Sequence, residues 1–153
     1  MADINWLNVL FRFMHVTGAI IAVGGAIFAS FALLPAVHVI PEESRKHFNE
    51  EIRRGFAKLV MISIAFLLIS GFYNYMVNEL PAHRGQAAYN GLMGVKILLA
   101  FGVFFLASAM TGKSPAFEAM RKKRRRWMTV NILLAIAIIA IGAVLRAMPD
   151  AGV

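Results

Sequence analysis

No cysteine occurs in the 153 residues, which removes disulfides, thiolate metal sites and cysteine-ligated iron–sulfur clusters from consideration. Acid is scarce too: eight Asp and Glu stand against 16 Lys and Arg, for a formal net charge of +8. No low-complexity tract and no internal repeat breaks the chain, so residues 1–153 read as a single domain. A nucleophile-plus-base arrangement, a zinc motif and a phosphate loop are all missing, which tells against hydrolase and nucleotide-binding functions. The N-terminus lacks a basic lead, and the first apolar stretch is too long for a signal h-region, so no cleavable leader is expected.

What is present is apolar residue, in long runs. Hydrophobic side chains make up 59% of the chain and the mean hydropathy is +0.68. A soluble domain is nearer to half apolar. A basic chain could bind nucleic acid, but that reading does not account for the long uncharged stretches, so no nucleic acid is expected. Four stretches approach or exceed the roughly 20 residues that span a bilayer core. They run from about Trp6 to Val37, Leu59 to Val77, Leu92 to Met110 and Trp127 to Leu145. The first is too long for one perpendicular span and must tilt or project. Before the second, Pro41-Glu42-Glu43-Ser44 opens a short amphipathic stretch with Phe48, Ile52 and Phe56 at helical spacing, an interfacial helix that runs into the span. Ser114-Pro115 reads as an N-cap followed by proline at the first helical position. That helix carries Arg121 to Arg126 directly into the fourth span. The fold class is therefore all-α, an integral membrane four-helix bundle in contact with the lipid bilayer.

Charge sets the orientation. Arg45, Lys46, Arg53, Arg54 and Lys58 in the first connection, with Lys113 and the run Arg121-Lys122-Lys123-Arg124-Arg125-Arg126 in the third, hold twelve of the 16 basic residues. By the positive-inside rule these loops face the cytoplasm, with both termini outside, in a bacterial-type inner (plasma) membrane. Anionic lipids are the natural partners of that basic face.

Four ionisable groups fall inside the spans, all in the outer half: Arg12 and His15 in the first, Lys96 in the third, Arg146 in the fourth. At such depth a charge costs about 2.5–3.5 kcal/mol on insertion scales, so these groups are paired or functional. The nearest acids by sequence are Asp3, Glu79 and Asp150, all near span ends. Without an obvious buried acid, the cations call for an anion from elsewhere, such as a ligand bearing carboxylates. Arg12 and Arg146 have a second reading as side chains that snorkel to the interface. From His15, the small residues Gly18, Ala22, Gly25 and Ala29 form a stripe that admits either a neighbouring helix or a flat ligand. In the fourth span Asn131, Ala135, Ile138, Gly142 and Arg146 share a face. His15 is either a hydrogen-bonded packing residue or a metal ligand, for instance an axial ligand of haem iron with Arg and Lys on the propionates. Met14 and Met93 could add a second ligand or bind Cu(I). Tyr73, Tyr75 and Tyr89 near span ends read mostly as an interfacial belt.

Four short motifs resemble the HemJ family of membrane protoporphyrinogen oxidases, and more loosely the copper-resistance-D-like membrane proteins. They are Phe13-Met14-His15-Val16 with Gly25 following, Arg53-Arg54 leading into Leu68-Ile69-Ser70-Gly71-Phe72, Gly94-Val95-Lys96-Ile97-Leu98-Leu99, and Arg124-Arg125-Arg126-Trp127 with Asn131 beyond. The resemblance implies a four-helix protein that binds haem b, with iron held by His15 and Lys96 essential at the same site as its catalytic residue. Arg12, Lys96 and Arg146 would then hold anionic groups of the haem or a substrate. Three departures stand out: Val23-Gly24 replace a Trp, the Pro-Arg pair after the glycine is absent, and the third helix lacks a later histidine. Haem binding tolerates these changes more readily than porphyrinogen oxidation does. The expectation is an integral membrane haem protein, and if an enzyme, an oxidoreductase passing electrons to quinone or acting on a porphyrinogen, as a monomer or homo-oligomer. Two other classes stay open: a copper or organic-anion binding or transport protein, and an accessory subunit of a membrane complex.

Overall fold

A computed structural model describes residues 4–149 as helices and short turns, with no strand among them. Four helices are long and apolar enough to cross a membrane: α1 (Trp6–Val39), α2 (Glu42–Ala82), α3 (Ala87–Thr111) and α4 (Arg124–Ala147). Asp3 and Asp150, two of the acids noted above, lie outside the described residues.

Each helix starts or stops for a local reason. The Asn5 side chain accepts a hydrogen bond from the Asn8 backbone N–H at 3.2 Å and so caps α1. Two prolines sit inside helices, and a π-helical turn precedes each: Ala29–Leu33 before Pro35, and Tyr75–Glu79 before Pro81. Proline has no N–H to offer the carbonyl four residues back and its ring crowds it, so the preceding turn widens. Between α1 and α2 the Arg45 guanidinium donates to the Ile40 carbonyl at 3.1 Å and closes the turn. Gly85, at φ +79°, takes the left-handed turn between α2 and α3 that a side chain would resist.

The four helices bury one residue at alternating steps of three and four. On α1 the seam is Asn8, Phe11, His15, Gly18, Ala22, Gly25 and Ala29. On α2 it is Phe56, Val60, Ser63, Leu67 and Ser70. On α3 it is Tyr89, Met93, Lys96, Ala100, Val103, Ala107 and Met110, and on α4 Arg124, Met128, Asn131, Ala135, Ile138, Gly142 and Leu145. All of these are buried or half-buried.

 Asn8 is itself half-buried and Ala29 fully enclosed, so the pattern holds along the whole of each seam. Residues just off the seams, such as Phe13, Phe28, Leu98 and Leu133, are exposed apolar side chains of the kind that face lipid. This 3.5-residue repeat is the signature of left-handed bundles with small crossing angles.

Neighbouring helices run antiparallel. Along α1 and α2 the pairs are Asn8 with Tyr73, His15 with Ser70, and Gly25 with Phe56. Along α3 and α4, Tyr89 packs with Leu145 and Lys96 with Gly142. α1 meets α4 mainly through residues 25–33, which closes the bundle at its basic end. The two basic connections lie at that end, and the Ala82–Ala87 loop lies at the other.

The amphipathic stretch runs into the second span: Glu42–Asn74 is one uninterrupted helix, because Phe48, Ile52 and Phe56 continue the buried face of the span. One expectation needs correction. The basic run does not pass straight into the fourth span. A 3₁₀ turn, Pro115–Phe117, leads into a short helix, Glu118–Lys122, and Lys123 leaves helical geometry at φ −101° and ψ 34° before α4 begins. Six consecutive cations on one helix would stack like charges at i, i+3 and i+4, and the break divides them.

Candidate functional site away from the basic connections

The small-residue stripe of α1 is a helix contact. A Cβ on Gly18 would lie 3.1 Å from Leu67 Cγ, 3.1 Å from Phe66 Cβ and 3.2 Å from the Ser63 carbonyl oxygen. Nothing flat fits between α1 and α2 there. One turn further out the contact widens enough to seat an imidazole, because Gly71 has no side chain: its Cβ would stand 3.4 Å from His15 Cε1.

His15 is oriented from α2. Its Nδ1 lies 3.0 Å from Ser70 Oγ, and the Ser70 hydroxyl donates in turn to the Phe66 carbonyl. A hydroxyl has one proton to give. With that proton on Phe66, Ser70 accepts from His15, so the imidazole carries its proton on Nδ1 and its lone pair on Nε2. No hydrogen bond to Nε2 occurs among the described residues, and the atom is not sealed off from its surroundings. A hydrogen-bond acceptor behind the ring that fixes the tautomer in this way is a common support of metal-ligating histidines.

Lys96 approaches the same region from α3. Its Nζ would lie 3.6 Å from a Cβ on Gly142, so the ammonium passes across α4 where that helix has no side chain. It is within electrostatic range of both His15 and Glu79. Glu79 is held at the end of α2 by Tyr89, whose hydroxyl donates to Glu79 Oε2. His83 stacks on the Tyr89 ring at 3.5 Å between centroids, and its Nδ1 lies 3.1 Å from the Glu79 carbonyl oxygen. Tyr89 and His83 are 1% and 5% exposed, so this is a core cluster and not an interfacial belt. Tyr73 is likewise structural: it donates to Asn8 Oδ1 at 2.9 Å and stacks on Phe11 at 3.9 Å.

Of the expected site residues, His15 and Lys96 lie within electrostatic range of each other; Arg12 and Arg146 do not join them. Both arginines are exposed on the outside of the bundle. Each falls one residue past a seam position, Arg12 after Phe11 and Arg146 after Leu145, and so turns toward lipid or the interface, where the snorkelling reading applies. The expectation that the cations need an external anion is narrowed: Glu79 lies within electrostatic range of Lys96, but no carboxylate pairs with Lys96 among the described residues. Met14 is half-buried but adjacent to His15 in sequence, which puts it on a different side of α1. Met93 is packed against Tyr89 and Leu145. Among the described residues no three His, Asp or Glu side chains gather as a metal-binding group.

Ser70, Glu79, Tyr89 and His83 are the members that sequence reasoning did not assign to the site. The step from Tyr89 to Met93 to Lys96, four and three residues, carried a signal, because it places all three on one face of α3.

Residues 50–145 match the family model of Copper resistance protein D. The chain belongs to that family. The matched segment takes in Ser70, Glu79, Tyr89 and Lys96, and His15 precedes it. Of the two resemblances drawn from the sequence, the match returns the copper-resistance-D one, and the narrower HemJ likeness goes beyond it. The chain is also 23% identical over 146 residues to an uncharacterized protein of Aquifex aeolicus (strain VF5), covering 92% of this chain and 96% of the relative. No solved structure matches. As a copper-resistance-D-family protein with four membrane-crossing helices, it is a multi-pass membrane protein in contact with the bilayer.

Proposed function

We propose that this family member is a membrane metal-binding protein whose outer-half site takes haem b through His15 Nε2. One observation carries the reading: an imidazole inside a transmembrane bundle with Nδ1 committed to Ser70 and the Nε2 lone pair without a partner. The donor set discriminates between metals. A bare copper ion needs two or three protein ligands of its own, and His15 has no second histidine or accessible methionine on its face of α1. A porphyrin brings four nitrogens with it, so one protein imidazole suffices. Lys96, within electrostatic range of His15, would hold an anionic group of the haem, with Glu79 opposing that charge from within the chain. Bound haem would supply one-electron chemistry, and electron transfer toward a lipid-soluble quinone, or oxidation of a porphyrinogen, would be its use.

A second reading is copper binding, favoured by the family match over residues 50–145. It requires a further ligand from another chain or a thioether that moves. For either metal the positive-inside rule puts the basic connections in the cytoplasm and the His15 site in the opposite half of an inner membrane.

The test is an oxidised and dithionite-reduced optical spectrum of detergent-purified protein, with a pyridine haemochrome assay and elemental analysis for iron and copper. Near-stoichiometric b-type haem that is lost in His15→Ala supports the proposal. Copper retained with no Soret band supports the second reading. Haem retained in full by His15→Ala removes His15 as the ligand.

A further inference from the structure

The inner half of the bundle holds a cavity that the outer site does not use. It measures about 50 Å³ and is lined by all four helices, largely by apolar side chains such as Ala22, Phe56 and Phe104, with Ser63, Arg124 and Asn131 among its polar members. A cavity large enough for one water needs only about 10–15 Å³ on this measure, so several waters or a small anion with water fit.

Its polar groups are unfinished. Arg124 Nε and Asn131 Oδ1 are both buried and make no hydrogen bond within the protein. Seven residues separate them, which places both on the seam face of α4. Ser63, fully buried, donates to the Val60 carbonyl at 2.8 Å and keeps its lone pairs for an incoming donor. An orphaned donor and an orphaned acceptor in a membrane interior cost several kilocalories unless something polar reaches them. No acidic residue lines the cavity, and no carboxylate pairs with Arg124 among the described residues. Arg124 is also the first residue of α4, where no side chain caps the helix, so the positive end of the helix adds to the guanidinium.

We propose that this cavity is a hydrated site for small anions, entered from the basic end of the bundle past Arg124. The anion sits against the guanidinium, and water carries the hydrogen bonding onward to Asn131 and Ser63. The class of ligand is set by size and charge: a halide, or a monovalent oxyanion such as nitrate or formate. The inference is independent of the metal at His15, since no residue is shared between the two sites.

The absence of native cysteine gives a clean test. Ala135 lines the cavity and is 7% exposed, whereas Ile136 is at the same depth and 51% exposed on the outer surface. Single variants Ala135→Cys and Ile136→Cys, in nanodiscs that leave both ends open to solution, are treated with an anionic sulfonate-bearing or a cationic ammonium-bearing methanethiosulfonate. Ala135→Cys should react, the anionic reagent being faster by roughly tenfold or more, the scale on which a charged cleft concentrates counter-ions. Ile136→Cys, in lipid, should stay unmodified. Adding Arg124→Gln should abolish the anionic preference, whereas Arg124→Lys should keep it. Chloride or nitrate should slow the anionic reagent at Ala135→Cys at matched ionic strength. Arg126→Gln, at an exposed position, separates the site from general surface potential. An unreactive Ala135→Cys, equal rates for the two reagents, or an Arg126→Gln effect as large as that of Arg124→Gln would overturn the proposal.

Discussion

Two glycines on one helix give a test of how closely α1 and α2 approach. At Gly18 an added Cβ would meet Leu67 and Phe66 at 3.1 Å and a backbone carbonyl at 3.2 Å, whereas at Gly24 it would meet nothing within 4 Å. Alanine is worth about 1 kcal/mol more than glycine in a helix interior, so both substitutions gain that amount. The gain cancels when the two variants are compared. What survives is the overpacking at Gly18, about 1–3 kcal/mol when neighbours cannot step aside. Here one of the three neighbours is the Ser63 carbonyl, which cannot rotate away. Gly24→Ala should therefore be neutral or stabilising by up to ~1 kcal/mol, with Gly18→Ala below it by ~1–3 kcal/mol. At ~2–4 °C per kcal/mol for a chain of this size, the gap in Tm is roughly 2–12 °C. Thermal unfolding of both variants in one detergent, followed by near-UV circular dichroism, reads it directly. Equal Tm values would refute the close α1–α2 contact, and with it the assignment of the small-residue stripe to helix packing.

Ser70→Ala removes the acceptor of the His15 Nδ1 proton. It should cost about 1 kcal/mol of stability and weaken metal or haem retention at His15 by roughly 10–100-fold, measured by haem titration of the apoprotein. Arg12→Gln and Arg146→Gln, singly and together, should leave that titration unchanged because both side chains are exposed. A loss comparable with that of His15→Ala would return the arginines to the site.

The spans were legible because hydropathy along a chain is a sum over some twenty residues and tolerates local error. The site was less so, because facing depends on single residues. Arg146 was grouped with Asn131, Ala135, Ile138 and Gly142 by a further step of four, yet the seam takes a step of three there and buries Leu145. One residue turns a helix by about 100°, enough to exchange the bundle interior for lipid. The same slip separates Arg12 from Phe11. Lys96 and His15 were recognisable because an ionisable group in a long apolar stretch is conspicuous wherever it points. Glu79 and Ser70 were not assigned. The first lies in a π-helical turn beside Pro81, where register is lost. The second is a small hydroxyl whose role comes entirely from its neighbour on another helix.

The Lys96–Glu79 relation changes what an incoming group has to bring. With three cations turned inward, this half of the bundle would be a trap for a multiply charged anion. With both arginines exposed, Lys96 is the cation left inside, and Glu79, within electrostatic range and bound to Tyr89, offsets part of its attraction for an anion. Affinity at this site then rests on the coordinating nitrogen of His15 more than on charge. At the other end of the bundle Arg124, half-buried over the cavity, has no carboxylate partner among the described residues. The two halves thus divide the chemistry: a lone pair offered by an oriented imidazole in one, and an unsatisfied cation over a small cavity in the other.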